Sequence, residues 1–129
     1  MNINPTGLDW RRFIIAVDDQ GRLIGCGQVK PHKDGSRELA SIAVVPEWRR
    51  RGIARAIIEQ LLAAYPGVLY LTCRGELEPF YELFGFHKAG ISEMTPYFRR
   101  LRRIADIIQK LHLLPGKMLV MKRDPGPLI

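Results

Sequence analysis

Two periods of apolar residues alternate along this chain. Arg12 to Val17 and Leu23 to Val29 are short β-rich blocks separated by Asp18, Asp19, Gln20 and Gly21, turn chemistry that predicts an antiparallel hairpin. A polar loop from Pro31 to Ser36 leads to a third apolar run, Leu39 to Val45, which Pro46 stops, so the strand opening near Glu38 is expected to pair back onto the hairpin. From Ile53 the period changes: Ile53, Ile57, Ile58, Leu61 and Leu62 recur at helical spacing until Tyr65, Pro66 and Gly67 end the helix. Val68 to Cys73 then reads as a buried strand, parallel to the third through a crossover helix. A short helix is expected from about Pro79 to Gly85, and a short strand over Phe86 to Ala89. Tyr97 to Leu113 predicts an amphipathic helix, with Phe98, Leu101, Ile104, Ala105, Ile108 and Leu111 on one stripe and arginines opposite; Pro115 and Gly116 end it. Lys117 to Lys122 closes the pattern as a last strand, before a tail over 123–129 expected to be mobile.

The order predicts an α+β, three-layer domain: a mixed, mostly antiparallel central sheet with flanking helices. At 129 residues one domain with its own core is the expected count, spanning 1–129. The longest apolar runs fall well short of the roughly 20 residues a membrane-spanning helix needs, and the first ten residues lack a signal peptide's basic and apolar regions, so a cytoplasmic protein without a membrane partner is expected. Cys26 and Cys73 lie in apolar strand patterns and match no metal-ligand spacing, which implies reduced core thiols and no metal site. The net charge of +7 suits an anionic ligand without identifying one.

Candidate chemistry concentrates where the third strand turns into the first long helix. Arg49, Arg50, Arg51, Gly52, Ile53, Ala54 and Arg55 sit at a helix N-terminus, where unpaired backbone N–H groups and the positive end of the helix dipole favour an anion. Gly52 and Ala54 keep bulk away from the main chain there, so a pyrophosphate fits this turn. The run Arg49-Arg50-Arg51-Gly52-Ile53-Ala54 resembles motif A of the GNAT N-acetyltransferase superfamily, whose pattern is Gln or Arg, two residues, Gly, one residue, then Gly or Ala. The run Pro79 to Phe86, PFYELFGF, resembles that family's motif B.

The resemblance implies a GNAT acyl-CoA N-acyltransferase fold and acetyl-CoA as cosubstrate, its acetyl group passing by direct attack to a primary amine carried by a small molecule or a peptide. Main-chain groups of Ala43, Val44 and Val45 would meet the pantetheine arm, with Arg49 to Arg55 on the pyrophosphate and a main-chain N–H near Val44 facing the oxyanion. Tyr81 matches the motif B tyrosine and is the expected general acid for the departing thiolate; the alternative is an aromatic core residue packed with Phe80 and Phe84. Glu38, eleven residues before Arg49, stands where one branch of the family has its general base; the alternative is an exposed strand-end charge, paired with Arg37. Arg74 follows the second parallel strand, where many relatives have an asparagine, and reads equally as a surface residue.

GNAT domains usually open with one more strand and one or two helices, and too few residues precede Phe13 to form them. The expected fold lacks those elements, with the helix over 97–113 or a second copy in a homodimer covering the exposed surface; a gene start further upstream is the alternative. Two other functions fit the pattern. One is a non-catalytic acyl-CoA-binding module. The other is a nucleic-acid binder using Arg49 to Arg51 and Arg99 to Arg103, the less expected reading because the latter arginines suit the solvated face of a helix. His32, His87 and His112 share no pattern and are expected to be structural or exposed. Gly25 and Gly27 form a GxG, but Lys30 stands where a dinucleotide fingerprint needs glycine.

Overall fold

The computed structural model describes residues 10–113 and 116–125. Its strands are β1 (Phe13–Val17), β2 (Leu23–Pro31), β3 (Arg37–Val44), β4 (Leu69–Arg74), β5 (His87–Lys88) and β6 (Met118–Arg123), and its helices α1 (Ile53–Ala64), α2 (Glu78–Glu82) and α3 (Pro96–Lys110). The six strands are ordered β1-β2-β3-β4-β6-β5 in a mixed sheet. The β1–β2, β4–β6 and β5–β6 pairs are antiparallel, and β3 runs parallel to β4 with Glu38 opposite Tyr70. The chain divides into two compact units, and β3 belongs to both. One unit holds β1, β2, β3 from Leu39 and α1; the other holds residues 31–38 and everything from Gly67 onward.

In the first unit Asp18 makes the hairpin turn by accepting from the N–H groups of Gln20 and Arg22, while Gly21 takes φ +77°. Ile57, Ile58 and Leu61 form the buried face of α1, and Ile24, Val29 and Leu39 the strands' share of the core. Gly25 and Gly27 are explained by this packing. A Cβ on Gly27 would stand 2.6 Å from Ile42 and 2.8 Å from Ile57, so the bare backbone of β2 is what lets α1 lie close. Within β3, Ser41 has φ +59°, a left-handed conformation rare for a non-glycine residue; its carbonyl accepts from the Cys26 thiol and its hydroxyl from Gln28.

In the second unit Tyr70, Ala89, Met94, Phe98 and Val120 form the core, with Tyr97, Leu101 and Met118 packed against it. Arg123 belongs to β6, opposite Leu69, so the sequence boundary for the tail is one residue early; residues 126–129 lie outside the described ones. The long helix also ends earlier than expected. His112 at φ +56° closes it, its N–H reaching Gln109 and the N–H of Leu113 reaching Ile108, so a left-handed non-glycine residue terminates α3 ahead of the Pro115–Gly116 signal. The apolar stripe is only partly buried: Phe98 is inside, while Ile104 and Leu111 are exposed. Among the described residues no helix is long and apolar enough to cross a membrane.

Candidate active site

The turn that leads into α1 is built by the backbone. After β3, Pro46–Trp48 makes one 3-10 turn, Arg50 adopts φ +64° and Gly52 φ +81°, and α1 starts at Ile53. Gly52 is the N-cap and offers no side chain; its carbonyl accepts from Ala56 N–H, leaving the amides of Ile53, Ala54 and Arg55 without intrahelical acceptors. A Cβ on Gly52 would meet nothing within 4 Å, so the approach is open, and the positive φ favours glycine there. The arginines are exposed and only loosely engaged. Arg49 Nε donates to the Val44 carbonyl at 3.1 Å, the Arg51 guanidinium lies 4.8 Å from the Trp48 ring, and Arg55 pairs with Glu59 on the helix surface.

Beside this turn Leu23, Ile24, Gly25, Cys26, Ala43, Val44 and Val45 line an apolar cavity of about 180 Å³. The three residues expected to meet pantetheine through main-chain groups therefore do border a hollow. Two of those groups are already engaged, however: Val45 N–H donates to the Ile24 carbonyl, and the Val44 carbonyl receives Arg49. Burial pushes the Cys26 thiol up, which keeps it protonated at neutral pH.

Tyr81 and Glu38 lie in the second unit. Tyr81 sits on α2, half-buried, with its ring edge-on to Phe80 at 5.1 Å and Phe86 at 6.2 Å. Its carbonyl accepts from the N–H groups of Phe84 and Phe86 across the turn that Gly85 closes at φ +90°, and Arg123 Nε holds the Phe84 carbonyl at 2.8 Å. The hydroxyl has no hydrogen-bond partner among the described residues. Burial, reinforced by nearby Cys73, raises the phenol above its ordinary value, so it carries its proton at neutral pH.

Glu38 is buried at 9% exposure, which corrects its reading as an exposed strand-end charge. Its Oε1 lies 2.7 Å from His32 Nε2, and the His32 ring stacks on Tyr97 at 3.8 Å and meets Phe98 edge-on at 5.6 Å. Asp34, in the same loop, accepts from the N–H and hydroxyl of Ser36 and from Tyr97 N–H at the start of α3. Those bonds hold its carboxyl well below the usual carboxylate range. Sequence reasoning missed His32: six residues from Glu38 in a loop and 65 from Tyr97, it belongs to no periodic pattern. Arg74 pairs with Glu76 on the surface, and His87 with Glu93. No group of side chains suited to a metal ion occurs among the described residues.

Set against known proteins, residues 9–88 match the family model described as an acetyltransferase (GNAT) domain, and the chain belongs to that family. It is 29% identical over 105 residues to the mycothiol acetyltransferase of Mycolicibacterium vanbaalenii, covering 81% of this chain and 34% of that protein. The mycothiol acetyltransferase of Thermobifida fusca is 34% identical over 94 residues, covering 68% of this chain and 28% of the relative. The chain thus spans about a third of the length of these relatives. Its fold is that of N-acetylglutamate synthase from Neisseria gonorrhoeae, solved with coenzyme A and N-acetyl-glutamate: TM-score 0.64 at 18% identity, covering 92% of this chain and 26% of that one.

Proposed function

We propose that this chain is an acetyl-CoA-dependent N-acetyltransferase that works by direct attack of a primary amine, and that residues 1–129 act as one such domain in the cytoplasm. The observation that carries the reading is the open turn at the start of α1, where unpaired amides, a left-handed Gly52 and exposed arginines meet. Backbone N–H groups there suit the coenzyme's pyrophosphate, with Arg50, Arg51 and Arg55 adding charge around it. The apolar cavity against Ala43, Val44 and Val45 suits the thioester end. Two free cysteines in apolar strands support the reducing compartment.

In the proposed reaction the amine nitrogen attacks the thioester carbonyl carbon, a C–N bond forms, and the C–S bond breaks as the tetrahedral intermediate collapses. Glu38, held by His32, takes the amine's proton. Tyr81 gives its own to the departing thiolate, a role supported by a hydroxyl that is protonated and has no partner among the described residues. Coenzyme A release in the presence of a panel of primary amines tests the reading. Amine-dependent release is expected, and thermal stabilisation by acetyl-CoA without release would instead mark a non-catalytic binder.

A further inference from the structure

The apolar arc of α3 is wider than the core it covers. Phe98 is fully buried and Leu101, Ala105 and Ile108 lie partly buried, whereas Ile104, Ile107, Leu111 and Leu113 are 54%, 58%, 62% and 67% exposed. Exposed apolar side chains scattered singly need no explanation, but these follow a rule. Ile104, Ile107 and Leu111 are spaced by three and then four residues, the a-d-a seam of a two-turn helix pair, and Arg100 occupies the preceding d position. Arg103 and Lys110 flank the seam one heptad apart, at g positions. Both are exposed and, like Arg99 and Arg100, have no partner among the described residues, whereas Arg102 is tied to Asp106 and to the Met118 carbonyl.

This charge pattern selects the occupant. A second copy pairing in parallel would set Arg100 against Arg100 in the seam; pairing antiparallel, it would set Arg103 and Lys110 beside each other across the g positions. Both self-pairings join like charges. We propose that the face formed by Ile104, Ile107 and Leu111 docks an amphipathic helix of a partner protein that presents leucine-like residues to the seam and carboxylates to Arg100, Arg103 and Lys110.

A fluorescein-labelled three-heptad peptide with Leu at a and d and Glu at e and g is the probe, titrated with the full chain and followed by anisotropy. The chain is expected to bind it, Ile107→Glu to weaken binding by about tenfold or more, and Arg103→Glu by several-fold with affinity regained for the matching peptide carrying Lys at e and g. Thermal-unfolding midpoints, unchanged in both variants, show that they fold, and the outcome stands whether or not the chain proves to be an enzyme. Wild-type chain that ignores the Glu peptide, or binds the Lys peptide equally well, overturns the proposal. So does a wild-type dimer in sedimentation that Ile107→Glu converts to monomer, or retention on phosphatidylglycerol vesicles in place of the peptide.

Discussion

The turn over 49–55 and the loop over 31–38 are both charged connections flanking β3, and they are built in opposite ways. In the turn the backbone makes the shape: positive φ at Arg50 and Gly52, helix-start amides without intrahelical acceptors, and arginine side chains on the surface. In the loop the side chains make it: His32 on Glu38, Asp34 on Ser36 and on the N-terminus of α3, and Tyr97 stacked over His32. Donors left without acceptors at an accessible position mark a place for a ligand, while a polar network closed on itself marks a position held in place. The first region is therefore expected to be sensitive to backbone conformation and tolerant of side-chain truncation, and the second the reverse.

Gly52→Glu gives the largest effect on that comparison. Bulk and negative charge at φ +81° should abolish acetyl-CoA binding in calorimetry. Gly52→Ala separates strain from blockage, costing about 1 kcal/mol in chemical denaturation as a left-handed non-glycine residue while the approach stays open. Wild-type coenzyme affinity in Gly52→Glu would remove the turn from the site.

Tyr81→Phe is expected to lower kcat by about 100-fold with coenzyme affinity preserved, because only the proton donor is lost. An unchanged rate returns Tyr81 to the aromatic core. Glu38→Gln should lower kcat/KM by a similar factor; an unchanged kcat/KM would leave Glu38 only its bond to His32.

Smaller effects separate the regions further. Asp34→Ala removes a cap that reaches α3 from another part of the chain, at a cost of about 1 kcal/mol read from thermal or chemical unfolding. Because the folded state depresses the Asp34 carboxyl, its contribution is complete above the unfolded value near 3.9 and disappears as the pH falls through the folded value. The variant should thus lose less stability than wild type between neutral pH and about pH 3; parallel losses would contradict the assignment. Arg50→Ala, at the other end of the scale, should weaken acetyl-CoA by only a few-fold, more at low salt than at high.

What could be read from the chain follows the range of the interactions. The strand, turn and helix over 38–64 were legible because their apolar periods and the Gly52 signal are local, and the Tyr81 helix because Pro79 marks its first turn and Gly85 the turn beyond its end, although it stops at Glu82, short of the expected Gly85. His32 was not, since its meaning depends on a ring 65 positions away. Nor was the end of α3: His112 takes a left-handed conformation that composition assigns to glycine. The same limit hid the left-handed backbone at Ser41. The apolar stripe of α3 was recognised, but periodicity does not say which part of an arc the core uses, and Ile104 and Leu111 face outward.

Main-chain nitrogens at the start of α1 are proposed to bind the coenzyme's diphosphate. A crystal structure of the acetyl-CoA complex tests it most directly. Pyrophosphate oxygens are expected about 2.9 Å from amide nitrogens between Gly52 and Arg55, the N–H···O distance of an ordinary hydrogen bond. Coenzyme bound elsewhere, with that turn unchanged and facing solvent, would contradict it.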